Sequence, residues 1–194
     1  AFREFGPRAA LFYQPDHLLP HAPTMRIDDH LLAAPASIMA ARSPPEGSER
    51  VALRHARDLS FYPRYVALYQ EAYAARPQLK GEVRTESEAS LEECRAGGHL
   101  YEILVDGVWS GIVAAKVMTL AGLHGLYMVE IVLGATARGK KLGPAVHHRL
   151  ASEIAKRHPE TVIYGTIAAR NPWSRQAALR AGRIEIGAWH WISL

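Results

Sequence analysis

The stretch at 135–146, which reads ATARGKKLGPAV, gathers two glycines, two lysines and an arginine between an apolar run and an amphipathic segment. Glycines let a ligand approach bare backbone N–H groups, and a helix that begins here would point its free amides at an anion. Arg138, Lys140 and Lys141 would add positive charge beside that anion, although solvated loop charges are the simpler alternative. We interpret the stretch as a phosphate-binding loop.

The spacing of the glycines distinguishes the common kinds of phosphate loop. The dinucleotide pattern G-x-G-x-x-G is absent. The nucleotide-hydrolase pattern G-x-x-x-x-G-K-[ST] fits Gly134, Gly139 and Lys140, but Lys141 then takes the place of the hydroxyl that holds magnesium. The later run TVIYGTI also lacks an Asp that would help to hold the metal. The spacing therefore argues against a nucleotide hydrolase.

Glu130 is the one acidic residue in a run that is otherwise apolar from Leu126 to Leu133. Burial of an unpaired carboxylate is costly and raises its pKa, which suits a general base. A structural ion pair or a position at a solvated sheet edge would also explain this residue. The sequence leaves these alternatives open.

Periodicity predicts the elements that position these groups. From residue 50 onward the order is β-α-α-β-β-β-α-β-α-β, with Asp106-Gly107 as a two-residue hairpin turn. The run HGLYMVEIVLGA is typical of a strand buried on both faces, and Pro144 suits the first turn of the next helix. The predicted fold class is α/β (α+β), a mixed sheet with helices on both faces.

Composition limits the classes of function. The 194 residues suit one compact domain, and the clustering of prolines before residue 45 predicts an N-terminal arm at 1–49 that packs on a main domain at 50–194. A net charge of +4 is too small to indicate a nucleic-acid binder, and no apolar run is long enough to cross a membrane. The single Cys94 predicts a reducing compartment, so we expect a cytoplasmic protein.

Two groups of histidines suggest metal binding but do not have the spacing for it. In the arm, Pro20 interrupts any helix that would bring His17 and His21 together near the residues His30, Asp28 and Asp29. His147 and His148 are adjacent on a predicted helix and point apart, so we expect surface or hydrogen-bonded histidines. We predict no metal, and we expect the arm to cover a substrate cleft or to form a homodimer contact.

The segment ARGKKLGPAV resembles the acyl-CoA loop of the GNAT (GCN5-related N-acetyltransferase) superfamily, whose pattern is [QR]-x-x-G-x-[GA] at the start of a helix. Arg138, Leu142 and Gly143 match this pattern. Lys141 stands where the middle glycine is usual, and Pro144 removes one N–H group. The segment ARNPWSRQAALRAGR also resembles the C-terminal motif of the superfamily, with an Asn followed eleven residues later by a Gly. The element order from residue 50 onward is similar too.

The resemblance implies a GNAT-like, mostly antiparallel sheet in which the parallel strands four and five splay apart. It implies that acyl-CoA, most often acetyl-CoA, binds there, with its pyrophosphate at the helix N-terminus and its pantetheine arm paired with the fourth strand. The residues that the resemblance assigns to the cofactor are Val132, Leu133, Arg138, Gly139, Lys140, Lys141, Leu142, Gly143, Pro144, Ala145, Asn171 and Ser174.

The activity implied is transfer of an acetyl group to a primary amine, with Glu130 as the base. A small metabolite is the default acceptor, while a protein N-terminus, a lysine or an aminoglycoside stays open. Many relatives protonate the leaving thiolate with a Tyr where this chain has Ala178, so Ser174, Tyr164 or water would have to substitute. Ala178 and the altered loop favour the alternative of a catalytically silent module that binds acyl-CoA or a partner.

Overall fold

The sheet is built from strands that the alternating residue pattern predicts, together with two strands from the N-terminal segment. The computed structural model describes residues 9–15, 25–75, 77, 80 and 83–193. The elements are β1 (Ala9–Pro15), β2 (Met25–Pro35), α1 (Ala36–Ala40), β3 (Val51–His55), α2 (Tyr62–Ala75), α3 (Glu88–Ala96), β4 (Leu100–Val105), β5 (Val108–Leu120), β6 (Leu123–Leu133), α4 (Gly143–Ala155), β7 (Val162–Ala168), α5 (Pro172–Arg180) and β8 (Ile184–Ser193). The element order predicted from residue 50 onward is confirmed.

The eight strands lie in the order β1-β8-β2-β7-β6-β5-β4-β3. Neighbouring strands are antiparallel except β6 and β7, which are parallel and are joined by α4. The predicted mixed, mostly antiparallel sheet is therefore confirmed. Asp106 and Gly107 both have positive φ, 51° and 79°, as a tight β4–β5 hairpin turn requires.

Side chains alternate between two cores on opposite faces of the sheet. On one face Val113 and Ala115 of β5 pack with α1 and α4, whose residues at 146, 150 and 154 form the predicted apolar stripe. On the other face Ile112 and Ala114 pack with α2 and α3. This alternation buries β5 on both sides and fixes which residues of the neighbouring β6 face each layer of helices.

The described residues of the segment 1–49 include strands of the sheet itself. β1 pairs with β8, and β2 lies between β7 and β8, antiparallel to both. Leu31 and Leu32 of β2 are fully buried. β2 pairs with β7 from Val162 to Ala168, so β7 has a partner along its whole length on this side. β7 can therefore stay extended where it leaves β6.

In the described ranges, no helix combines the length and the apolar character needed to cross a membrane.

Candidate active site

A gap opens between β6 and β7. The two strands pair at Leu126 with Ile163 and at Tyr127 with Tyr164. Beyond these pairs β6 continues along β5 to Leu133, and β7 continues along β2. The two strands therefore splay apart, as the sequence analysis expected for strands four and five.

The register between β5 and β6 decides which backbone groups of β6 face this gap. The N–H of Gly134 donates to the carbonyl oxygen of Ser110 at 2.8 Å, and Val132 lies opposite Ile112 in the same register. Hydrogen-bonded and non-bonded pairs alternate in an antiparallel ladder, so Val132 directs its backbone groups to β5. Ile131 and Leu133 direct theirs into the gap. Of the two strand residues predicted to pair with a cofactor, Leu133 alone presents its backbone there.

A β-bulge in β6 places Glu130 on the face of the sheet that α2 covers. The register with β5 shifts between Ala114, opposite Glu130, and Ala115, opposite Met128, which leaves Val129 as the extra residue. Val129 packs in the core under α2 and α3. The bulge therefore turns the acidic side chain toward α2 at the edge of the gap.

Glu130 is buried and is held by three hydrogen-bond donors. The hydroxyls of Tyr65 and Tyr69 on α2 each donate to Oε2 at 2.6 Å, and the N–H of Ile131 donates to Oε1 at 2.8 Å. Burial raises the pKa of Glu130 above its ordinary value of 4.5, while the three donors act in the opposite direction. Within the described residues no cation pairs with this carboxylate, so a structural ion pair does not explain it.

The tyrosines of α2 are the part of the site that the sequence analysis missed. Burial and the charge of Glu130 raise the pKa of both Tyr65 and Tyr69, so the phenols remain protonated donors. Tyr65 also accepts the N–H of Glu86 at 2.7 Å. The Tyr65 hydroxyl lies beside that of Tyr69, and both hydroxyls meet at the same carboxylate oxygen. The signal in the sequence was a row of tyrosines at helical spacing on a buried face, where each hydroxyl needs a partner.

The predicted phosphate loop ends where α4 begins, at Gly143, with Leu142 as its N-cap. Val146 donates its N–H to the carbonyl of Leu142 at 3.0 Å. Across the described part of the chain, the N–H groups of Gly143 and Ala145 have no acceptor, and Pro144 has no N–H to offer. Gly143 is partly exposed, whereas Ala145 has no exposed surface, so of these two free amides the one of Gly143 is open to a ligand. Leu142, Pro144 and Ala145 are buried as whole residues.

Three basic residues of the loop precede the start of α4. Arg138 is half-buried, and its guanidinium donates to the carbonyl of Leu133 at 3.0 Å, which ties the loop to the end of β6. Lys140 and Lys141 are exposed. Gly139 and Lys141 have φ angles of 78° and 57°. Lys141 thus adopts the left-handed conformation for which the superfamily pattern has a glycine.

Replacement of Lys141 by Gly is expected to stabilise the fold by up to about 1 kcal/mol. A left-handed conformation costs an L residue about 1–2 kcal/mol, and the greater entropy of unfolded glycine offsets about 0.5–1 kcal/mol of that gain. Urea unfolding measures the difference. Lys140→Gly is the matched control, because Lys140 has no positive φ and should lose stability on the same change. A loss for Lys141→Gly equal to that of the control would contradict the conformation described.

The remaining predicted residues lie on α5 and β7. Asn171 caps α5, since its Oδ1 accepts the N–H of Ser174 at 3.2 Å. A Cβ atom at Gly143 would lie 3.1 Å from the Cβ of Ala177, so α5 packs closely against the start of α4. Ala178 is fully buried. Tyr164 donates its hydroxyl to the carbonyl of Met118 at 2.8 Å, which leaves it unsuited to protonate a leaving group.

The histidines are hydrogen-bonded in the interior. His147 and His148 are both buried, so the surface position considered for them is wrong. His148 Nε2 lies 3.1 Å from the carbonyl of Arg42, and His30 Nδ1 lies 2.6 Å from Glu185 Oε1. The predicted arm residues His17 and His21 lie outside the described residues. In the part of the chain that is described, no three His, Cys, Asp or Glu side chains are grouped to hold a metal.

Comparison with known proteins identifies the fold. No protein-family model and no curated sequence matches the chain. Among solved structures, it is similar to an acetyltransferase of the GNAT family from Colwellia psychrerythraea, with a TM-score of 0.61, 10% identity, and coverage of 89% of this chain and 58% of that one. A GCN5-related N-acetyltransferase from Sphaerobacter thermophilus gives a TM-score of 0.56 at 13% identity, with coverage of 93% and 53%.

A third similar structure is Arabidopsis thaliana Naa50 in complex with the bisubstrate analogue CoA-Ac-MVNAL. It gives a TM-score of 0.50 at 15% identity, with coverage of 75% of this chain and 99% of that one. The chain therefore has the fold of the GNAT acetyltransferases. It spans between half and three fifths of the length of the first two structures that it matches.

Proposed function

We propose that the protein is an N-acetyltransferase that moves an acetyl group from acetyl-CoA to a primary amine. The observation that carries this proposal is the gap between β6 and β7, which begins at the free amides of α4 and passes the buried carboxylate of Glu130. Acetyl-CoA has an anionic end, an extended arm that carries amides, and a reactive acyl end. Each of these parts would meet complementary groups along this gap.

The proposed cofactor contacts follow from what each residue presents. The N–H of Gly143 would bind the pyrophosphate, Ala145 would support the first turn of α4 behind it, and the cations of the loop would surround it. The N–H of Leu133 and the carbonyl of Ile131 would pair with the pantetheine amides as an added strand would, since the N–H of Ile131 is bonded to Glu130 and the carbonyl of Leu133 to Arg138. Other assigned residues contribute by shape: Val132, Leu142 and Pro144 pack the walls, Gly139 lets the loop turn, and Asn171 and Ser174 fix α5 beside it.

Glu130 is proposed as the general base, acting through Tyr69. The Tyr69 hydroxyl donates to Glu130, and its oxygen would accept a proton from an amine or a water molecule that reaches it. A proton would move onto the phenol as the phenol proton moves onto the carboxylate, so no tyrosinate forms. The raised pKa of Glu130 makes its carboxylate a stronger proton acceptor than an ordinary glutamate.

The acceptor is proposed to be a small-molecule amine that enters on the α2 face, where Tyr69 lies. We propose a reducing compartment such as the cytoplasm, because the single cysteine, Cys94, is a free thiol and cannot form a disulfide framework within the chain. We also propose that residues 1–49 form an arm on a domain at 50–194, and that this arm makes a homodimer contact.

A catalytically silent acyl-CoA-binding module is the second candidate. The buried Ala178 favours it, since the position offers no acid for the leaving thiolate. Both candidates bind acetyl-CoA, and turnover separates them.

Calorimetry with acetyl-CoA, followed by a thiol-release assay over a panel of amines, tests the proposal. Binding together with amine-dependent thiol release supports the enzyme, and binding without release for any amine supports the silent module. Absence of acetyl-CoA binding would overturn both. Magnesium-dependent binding of ATP or GTP in its place would indicate the nucleotide hydrolase that the loop spacing argued against.

A further inference from the structure

Arg183 is a buried cation that has no carboxylate partner among the described residues. Its side chain lies beneath the sheet with only 2% of the residue exposed. One terminal nitrogen donates to His147 Nδ1 at 2.8 Å, and Nε has no hydrogen-bond partner. Burial lowers the pKa of Arg183 to about 10, so it is still charged at neutral pH. Proteins usually pair such a charge, because a buried unpaired cation is costly.

The Arg183 guanidinium lies at the closed end of the gap between β6 and β7. Gly165 is the first residue of β7 after the last pair with β6. A Cβ atom at Gly165 would lie 3.6 Å from a terminal nitrogen of Arg183 and 3.1 Å from the Cβ of Met128 on β6. The glycine therefore leaves the cation next to the point where the strands part.

Arg183 and Glu130 approach this point from opposite faces of the sheet. Met128 belongs to the core on the α4 face, whereas Glu130 contacts α2. The N–H of Arg183 donates to the carbonyl of Ala178 at 3.1 Å. The backbone of Arg183 is thus fixed to the residue that occupies the position of the usual tyrosine acid. In acyl transfer the attacking amine gives up a proton and the leaving sulfur gains negative charge. The carboxylate on one face matches the first of these sites, and the cation on the other face matches the second.

We propose that Arg183 binds and stabilises the CoA thiolate as it leaves, an inference that rests on the proposed acetyltransferase function. The amine nitrogen bonds to the acetyl carbon, and the C–S bond breaks with its electron pair on sulfur. The amine proton passes through Tyr69 to Glu130. The thiolate pairs with the guanidinium until water protonates it. A fixed cation aimed at a developing negative charge lowers the barrier without an acid.

His147 on α4 is the titratable group that faces Arg183, and it acts as a positioning residue. Burial, together with the charge of Arg183, keeps the pKa of His147 well below 6.5, so the imidazole is neutral and accepts a hydrogen bond from the guanidinium. The neutral ring fixes the orientation of the cation and adds no second charge that would compete for the thiolate.

The test compares the binding of free CoA with that of acetyl-CoA by calorimetry between pH 6.5 and 9. These ligands differ in whether the sulfur can ionise, and an ordinary thiol has a pKa near 8.5. In the wild-type protein the ratio of CoA affinity to acetyl-CoA affinity should rise about tenfold across this range. A cation beside the bound thiol lowers the pKa of that thiol, and a fall of one unit corresponds to about a tenfold gain in affinity for the thiolate. Arg183→Met should abolish that rise and leave the affinity for acetyl-CoA unchanged.

Two further variants separate charge from structure. Arg180→Met removes an exposed arginine from the end of α5 and should keep the wild-type pH dependence. Arg183→Lys keeps a cation and should retain most of it, which covers the case in which Arg183→Met does not fold. A flat CoA profile in the wild-type protein, or the same rise in Arg183→Met, would overturn the role of Arg183 while leaving the proposed function intact. Failure of both ligands to bind would overturn the proposed function as well.

Discussion

Replacement of Glu130 by Gln is expected to reduce acetyl transfer by about 10²- to 10⁴-fold, the usual contribution of a positioned general base. Affinity for acetyl-CoA should not change, because the pyrophosphate and pantetheine contacts lie on α4 and on the backbone of β6. Thiol release measures turnover, and the buried Cys94 gives little background in that assay. Calorimetry measures the affinity. A residual rate that no longer falls at acid pH would identify the lost group as the base.

The wild-type pH profile follows from the environment of Glu130. Burial raises its pKa above 4.5, so kcat/KM should fall as the pH drops through that raised value, where the carboxylate becomes protonated. Glu102→Gln is the control, because Glu102 is a strand carboxylate in the same sheet that pairs with Arg54 far from the gap. Turnover of Glu130→Gln equal to that of Glu102→Gln would remove Glu130 from the mechanism.

The double variant Lys140→Glu/Lys141→Glu should weaken acetyl-CoA binding by about 10- to 100-fold at low salt. Two unit charges 4 Å apart interact by about 1 kcal/mol even in bulk water, and here two attractions become two repulsions. Both side chains are exposed, so the fold should be unaffected. Calorimetry in 100 and 500 mM salt measures the loss, which should shrink at the higher salt because exposed charges are screened.

The matched control for this variant is Lys156→Glu/Arg157→Glu. It makes the same change in net charge at the other end of α4, about 20 Å away at 1.5 Å per residue. That distance exceeds the screening length of about 10 Å at 0.1 M salt. Equal weakening by both variants would show that the loop contributes only net charge. No weakening by Lys140→Glu/Lys141→Glu would place the phosphates elsewhere.

Local features of this site could be predicted from the sequence because each depends on neighbours along the chain. The phosphate loop is one continuous strand, turn and helix start, and the positions of its glycines and of Pro144 specify the local backbone conformation. Glu130 stood out as the single charge in an apolar strand. The almost continuously apolar run of β6 likewise predicted a strand covered on both faces.

Other features could not be predicted because they depend on contacts between distant residues. Tyr65 and Tyr69 meet Glu130 across more than sixty residues of sequence, and the approach depends on the bulge at Val129. The insertion of β2 between β7 and β8 joins residues from opposite ends of the chain. Arg183 gave no signal at all, since a lone arginine after a helix is ordinarily exposed.

The most direct test of the central claim is a crystal structure of the protein with acetyl-CoA. A pyrophosphate oxygen should lie within about 2.7–3.2 Å of the backbone nitrogen of Gly143. The pantetheine arm should run along Leu133, and the sulfur should lie between Glu130 and Arg183 at the closed end of the gap. A cofactor bound outside the gap would contradict the account. Strands β6 and β7 that pair along their full length, with no ligand at the loop, would contradict it as well.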